Sequence, residues 1–324
     1  MAEQDRIERL DGVIARVLVS RGDAPASGDA ELDTLAAIAV DLLGLPEEGF
    51  REKLRAELEG GRRDAEIAPA RLRKGFHTVT PYLVVPGASG LIDFLKRAFR
   101  AEELLRVPGE EKAIRHAEVR IGDSIVEISD GSPEFPPLAS AMHLYVEDAD
   151  GAYGRALEAG ATSLHAPVDQ PYGDREAGVK DPAGNSWYLA THRATGLAPE
   201  GLRSVTPYVQ ARDTAGLIDF VRRAFGGNER DRTESPDGVV RHAKIQIGDS
   251  VLEMGEAHGP YGLAPVAIHL HVADADAVFA RAVRAGGAPV FGVADQPYGE
   301  RSGGVRDPFG NLWFIATYFE DVVS

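Results

Sequence analysis

Cysteine is absent from all 324 residues, which excludes disulfides, thiolate catalysis and cysteine-ligated metals. Long apolar runs are missing too, and the opening Met1 to Asp5 is polar and acidic. The sequence therefore predicts a cytoplasmic protein with no membrane partner. Positive charge is in deficit: 35 Lys and Arg face 51 Asp and Glu, a formal charge of −16. Nucleic acid and anionic membranes, both polyanions, are poor partners for such a chain. A small ligand is not restricted by that balance. What remains is ordinary for a globular protein, 44% hydrophobic and 27% charged, with length enough for two or three domains.

The strongest pattern is an internal repeat. Residues 80–192 and 206–318 match at a constant offset of 126 (206 − 80). Thr80-Pro81-Tyr82 returns as Thr206-Pro207-Tyr208, and Gly90 to Phe94 as Gly216 to Phe220. Arg115-His116-Ala117 and Ile121 to Ser124 return as Arg241-His242-Ala243 and Ile247 to Ser250. Asp169 to Gly173 returns as Asp295 to Gly299, and Asp181 to Trp187 as Asp307 to Trp313. No insertion breaks the register, and two copies are too few for a solenoid.

Within one copy, Leu83 to Val85 reads as a strand and Leu91, Ile92, Leu95 and Phe99 fall at helical spacing. His116 to Ile121 alternates, Gly122-Asp123 supplies a hairpin turn, and Ile125 to Ser129 is the return strand. A second strand and helix follow, His143 to Val146 and Asp150 to Ala159, the helix ended by Gly160. Strands around Leu164 to Val168 and Trp187 to Thr191 close the copy, so each copy reads as βαβββ twice. So few helices cover one face of a sheet and leave the other free to curl into a cup. Residues 1–65 differ: Ile7, Leu10, Ile14 and Val17, then Leu35, Ile38, Leu42 and Leu43, then Phe50, Leu54 and Leu58 mark three amphipathic helices. Arg71, Arg73 and Lys74 read as a solvated basic linker.

Together these residues resemble the vicinal oxygen chelate superfamily of glyoxalase I, extradiol dioxygenases and bleomycin-resistance proteins, and its PhnB-like branch above all. The carriers are Thr-Pro-Tyr at the head of each copy, Arg-His-Ala with Ile-Gly-Asp-Ser, His143 to Asp148, and Gly173-Asp174-Arg175 through Asp181 to Trp187. The resemblance implies an α+β fold of tandem domains, 76–195 and 203–320, each of two βαβββ units forming a cupped mixed sheet. The helical segment 1–65 and a linker, 66–75, precede them. The fold hosts lyases, dioxygenases and non-catalytic binders, so it does not choose the chemistry.

Metal-dependent members set four ligands on four strands facing the cup. By resemblance those positions fall on Thr80, Glu127, Ala141 and Tyr188, and on Thr206, Glu253, Ala267 and Phe314. One carboxylate survives in each copy, so the standard metal site reads as broken. His143 and His269 lie two residues further along the fifth strand, on the same face, as do Tyr145 and His271. His116, Glu118, His242 and Lys244 also point to the cup. His116, Glu127 and His143 would form one metal cluster if the strands converge. His242, Glu253 and His269, with His271, would form another, for Zn, Ni, Mn or Fe. Otherwise these histidines are hydrogen-bonded residues lining a ligand cavity. Tyr82, Tyr145, Tyr188, Tyr208 and Phe314 on the same face favour a flat or apolar ligand. Two functions stay open: a small-molecule binder, or a metal-dependent glyoxalase-type lyase, isomerase or dioxygenase. The chain is expected as a monomer with an internal pseudo-dimer, or as a homodimer.

Overall fold

Four βαβββ units follow one another in the computed structural model, which describes residues 70–319 apart from 197, 200 and 260. The first holds β1 (Val79–Val85), α1 (Ala88–Phe99), β2 (Glu102–Pro108), β3 (Ile114–Ile121) and β4 (Ser124–Asp130). The second holds β5 (Ala141–Tyr145), α2 (Ala149–Glu158), β6 (Thr162–Asp169), β7 (Asp174–Lys180) and β8 (Ser186–His192). The third holds β9 (Val205–Ala211), α3 (Thr214–Phe225), β10 (Asn228–Glu234), β11 (Val240–Ile247) and β12 (Ser250–Glu256). The fourth holds β13 (Ala267–His271), α4 (Ala275–Arg284), β14 (Ala288–Gln296), β15 (Glu300–Arg306) and β16 (Leu312–Tyr318). The helices expected in residues 1–65 lie outside the described residues. No described helix is long and apolar enough to cross a membrane.

The units combine across the repeat. One eight-stranded mixed sheet runs β14-β15-β16-β13-β1-β4-β3-β2, and the other β10-β11-β12-β9-β5-β8-β7-β6. Each sheet thus joins the first half of one copy to the second half of the other. Its seam is antiparallel: Thr80 lies opposite His269 where β1 meets β13, and His143 opposite Thr206 where β5 meets β9.

The helices pack on one face of each sheet. In α1, Leu91, Ile92, Phe94, Leu95 and Phe99 are buried with Leu83, Val85, Val119, Val126 and Ile128 in a shared core. Burying each such side chain stabilises the fold by about 1.5–3 kcal/mol. The repeated Asp-Pro-x-Gly-Asn-x-Trp block anchors this core. Asp181 Oδ2 accepts from Trp187 Nε1 at 2.8 Å and Asn185 Nδ2 at 2.9 Å, and Asp307 does the same for Trp313 and Asn311. Both indoles are fully buried, on the core side of their strands.

The Ile-Gly-Asp-Ser motif has a second duty beyond turning the β3–β4 and β11–β12 hairpins. Asp123 Oδ1 accepts from the Ser204 amide at 2.8 Å and Ser124 Oγ from the Val205 amide at 3.0 Å, pinning the start of β9. Asp249 and Ser250 accept from the Thr78 and Val79 amides at 2.8 and 3.1 Å, pinning the start of β1. The turn of each copy therefore clamps the entry of the other.

Candidate functional site

Strand alternation sends Thr80, Tyr82, His116, Glu118, Glu127, His269, His271 and Phe314 to the helix-free face of the first sheet, its cup. Thr206, Tyr208, Gln210, His242, Lys244, Glu253, His143, Tyr145 and Tyr188 take the matching places in the second. Because the halves are exchanged, the donors of one cup come from both copies.

At the centre of each cup a buried glutamate is bonded to a histidine from the other copy. His269 Nδ1 donates to Glu127 Oε2 at 2.8 Å, and His143 Nδ1 donates to Glu253 Oε2 at 2.8 Å. His116 Nε2 stands 3.8 Å from Glu127 Oε1, and His242 Nε2 stands 3.3 Å from Glu253 Oε1. An unpaired carboxylate at this depth would be costly, and imidazolium partners answer that cost. Burial opposes charging His269, yet the Glu127 and Glu300 carboxylates prevail and push its pKa up to about 10. Burial likewise opposes charging His143, and Glu253 raises it. Glu253 resists burial's upward push through His143 and His242, which hold it well below the usual carboxylate range.

The clusters expected from sequence are regrouped accordingly. His116 and Glu127 do share a cup, but their partner is His269 rather than His143. His242 and Glu253 meet as expected, with His143 as their third member, while His269 and His271 belong to the other sheet. A repeat read linearly pairs halves within a copy; the sheets pair them between copies. In the strand register His269 lies in the row of Thr80 and Phe314, and Ala267 in the row of Tyr82 and Glu127.

Arg73 is a further correction. It leaves the solvated linker and donates to both oxygens of buried Glu118, at 2.7 and 3.2 Å, while stacking 4.5 Å over the Phe76 ring. Glu118 lies directly opposite Glu127, so two like charges face each other and a guanidinium is needed. Lys244 replaces Glu118 in the second cup, with Nζ 4.0 Å from Glu253 Oε1.

The aromatic lining differs systematically between the cups. Phe314 contacts Tyr82, Phe135 and Phe291 at centroid distances of 5.1, 5.7 and 6.3 Å. The positions equivalent to Phe314, Phe135 and Val84 are Tyr188, Tyr261 and Gln210 in the second cup. Tyr188 packs against Tyr208 and Tyr261 at 5.6 and 6.0 Å and accepts from Gln210 Nε2 at 2.9 Å. At these three positions one lining is hydrocarbon and the other carries hydroxyl and amide groups. Tyr145 lies against His143, ring centroids 4.4 Å apart, and donates to Asp174 Oδ2 at 3.1 Å. Tyr172 and Tyr298 stand exposed on the β6–β7 and β14–β15 turns, at the rim.

Sequence reasoning missed the β7 and β15 contributors, Asp174, Glu176 and Glu300, and the loop residues Phe135 and Tyr261. The signal available was the strand count: a βαβββ unit requires a strand between residues 169 and 186. Polar, glycine-containing Glu300 to Arg306 hides one with low β propensity.

The four-donor metal centre does not fit either cup. Thr80 Oγ1 is turned to the His77 carbonyl at 3.1 Å and Thr206 Oγ1 to the Arg203 carbonyl at 3.3 Å. Phe314 and Tyr188 occupy the last-strand position, and the remaining glutamate and histidine are bonded to one another.

Among known proteins, the profile of the Glyoxalase/Bleomycin resistance protein/Dioxygenase superfamily matches this chain twice, over residues 75–189 and 202–315. An uncharacterised protein of Mycobacterium bovis is 38% identical over 130 residues, 37% of this chain and 86% of its own length. One from Mycobacterium tuberculosis matches equally over 76% of its length. Glyoxalase I from Zea mays is similar in structure with a TM-score of 0.56 and 17% identity, over 74% of this chain and 92% of that one. A putative dioxygenase from Bacillus subtilis reaches 0.50 at 13% identity, over 78% and 87%. At such identities the structural likeness is one of fold.

Proposed function

The chain belongs to the Glyoxalase/Bleomycin resistance protein/Dioxygenase superfamily, and we propose that it binds small organic molecules in two unlike cups without the four-donor metal centre. One observation carries the reading: in each cup the surviving family carboxylate is bonded to an imidazole from the other copy, and that imidazole sits in a row between threonine and an aromatic ring. Such a cup offers charge and stacking surface to a ligand, with few donors for an ion at the four family positions. The first cup, lined by Phe135, Phe291 and Phe314, suits a flat apolar group. Tyr188, Tyr208, Tyr261 and Gln210 suit an aromatic ligand that also hydrogen-bonds. The candidate contacts remain Tyr82, His116, Glu127, His269, His271 and Phe314 in one cup, and His143, Tyr145, Tyr188, Tyr208, His242 and Glu253 in the other. The shared motifs favour the PhnB-like branch, and the formal charge of −16 favours a small ligand over a polyanion.

The test is a thermal-shift screen of the chelator-treated full chain against aromatic metabolites and antibiotics, followed by calorimetry. A binder of the first cup should lose about 10-fold or more in affinity on Phe314→Ala, the loss expected for one stacked, buried ring. Tyr188→Phe should weaken only ligands of the second cup. Turnover that requires metal and disappears in Glu127→Ala with Glu253→Ala would replace this reading with the enzymatic one.

A further inference from the structure

Beyond the Glu127–His269 bond, the first cup gathers a further group of donor atoms. His269, His271 and Glu300 each offer one ligand atom, an imidazole nitrogen or a carboxylate oxygen, and the three lie within 4.8 Å of one another. All three residues are buried, at 9%, 2% and 4% exposure. His271 Nε2 and Glu300 Oε2 make no hydrogen bond, although Glu300 Oε2 lies 3.3 Å from His269 Nε2. Folded proteins rarely leave a buried polar atom unpaired without a ligand, ion or water.

The other half of the molecule supplies an internal control. The positions equivalent to His271 and Glu300 are Tyr145 and Asp174. There the Tyr145 hydroxyl donates to Asp174 Oδ2 at 3.1 Å and His192 Nδ1 to Asp174 Oδ1 at 2.6 Å. In the second cup Tyr145 and Asp174 are closed by these hydrogen bonds, although His143 Nε2 beside them has none; in the first cup His271 and Glu300 are not closed on one another.

The open set has the chemistry of a metal site. Two imidazole nitrogens and one carboxylate oxygen are borderline donors of the kind that hold zinc or iron(II) while leaving coordination positions free. The rings of His269 and His271 stack with centroids 4.3 Å apart and 29° between their planes. His269 Nδ1 is already bonded to Glu127, the outer carboxylate that orients a metal-bound histidine. Phe76 closes edge-on against His271 at 5.5 Å. Glu118, Glu127 and Glu300 outnumber the Arg73 guanidinium and the His269 imidazolium, so an ion that displaces the proton of His269 Nε2 enters a region that is net negative.

We propose that His269 Nε2, His271 Nε2 and Glu300 form a site for one divalent ion of the zinc or iron(II) class, in the first cup only. The site lies beside the four family positions rather than at them, with His271 on β13 and Glu300 on β15. It does not depend on which organic molecule the cups hold, and its test uses metal alone.

The full chain, stripped by chelator, is titrated with Zn2+ by calorimetry and with Co2+ by visible absorption. One equivalent per chain is expected, with a cobalt spectrum of low coordination number. The double variant His271→Tyr, Glu300→Asp reproduces the pair that the other copy already carries in folded form, and should bind no ion. Glu253→Gln, in the opposite cup, should retain one equivalent. Glu127→Gln should weaken Zn2+ binding about 10–100-fold, as loss of an outer carboxylate does. No uptake by the stripped chain, uptake that survives the double variant, or uptake lost only in Glu253→Gln would overturn the proposal. Binding of aromatic compounds by the stripped chain would be untouched by any of these results.

Discussion

His143 and Glu253 come from different copies and meet at 2.8 Å with almost no solvent between them. The shifts of the two partners agree in direction. His143 is raised above 6.5, against burial, chiefly by the charge of Glu253, so its stabilising share is complete below 6.5 and fades as pH climbs through the raised value. Glu253 is lowered below 4.5, against burial, by His143 and His242, so its share is complete above 4.5 and is lost as pH falls through the lowered value. The pair should therefore stabilise most between 4.5 and 6.5 and weaken on either side. Glu253→Gln strands a buried imidazole and should cost about 3–5 kcal/mol in that window. Melting temperatures of the two proteins across pH should be furthest apart there and approach one another in alkali. A gap independent of pH would show that the pair is not ionised.

At the scale of elements, the sequence was legible where one force dominated. Helix α1 declared itself through Leu91, Ile92, Leu95 and Phe99 because a single apolar stripe faces the core. β7 and β15 were not seen, since strands of Asp, Glu, Arg, Ser and Gly are held by pairing with neighbours rather than by their own propensity. With them went Glu300 and Asp174, the residues that distinguish the cups. The hairpin turns were found, but their clamping of the other copy was not, as it depends on a contact 81 residues away in the chain. Gly122 and Gly248 show how tight that clamp is. Both have positive φ, and a Cβ would come within 2.1 Å of Ser204 Oγ or 2.4 Å of Thr78 Oγ1. Gly238 also has positive φ but nothing within 4 Å. Gly238→Ala should cost the left-handed penalty of about 1–2 kcal/mol, whereas Gly122→Ala and Gly248→Ala should cost more because a seam must also open. Denaturant unfolding of the three variants measures the difference. Equal losses would mean that the seam yields freely.

At the scale of the whole molecule, the exchange of halves decides what one copy is capable of alone. The segment between β4 and β5 is held along the end of the first sheet, with Gly131 N donating to Val85 O and Leu138 N to Val84 O, both at 2.9 Å. It lays Phe135 over the first cup and carries β5 away to the second sheet, where β5 pairs with β9 instead of β1. A single copy, residues 70–196, keeps that segment and so offers its two halves to two different sheets. Alone, it would leave one side of β1 and one side of β5 unpaired, each an exposed row of backbone groups. A second molecule of the same fragment satisfies both rows, because Thr206 and His269 have Thr80 and His143 as their counterparts. The fragment is therefore expected to sediment as a dimer with two identical cups, and a stable folded monomer would contradict the exchange. In that dimer Glu127 would meet the His143 of its partner, while Tyr145 and Asp174 would stand where the full chain has His271 and Glu300. Both cups would then be of the closed kind. The dimer should bind no Zn2+ under conditions where the full chain binds one equivalent, so the ion would report the divergence of the second copy rather than a property of the fold.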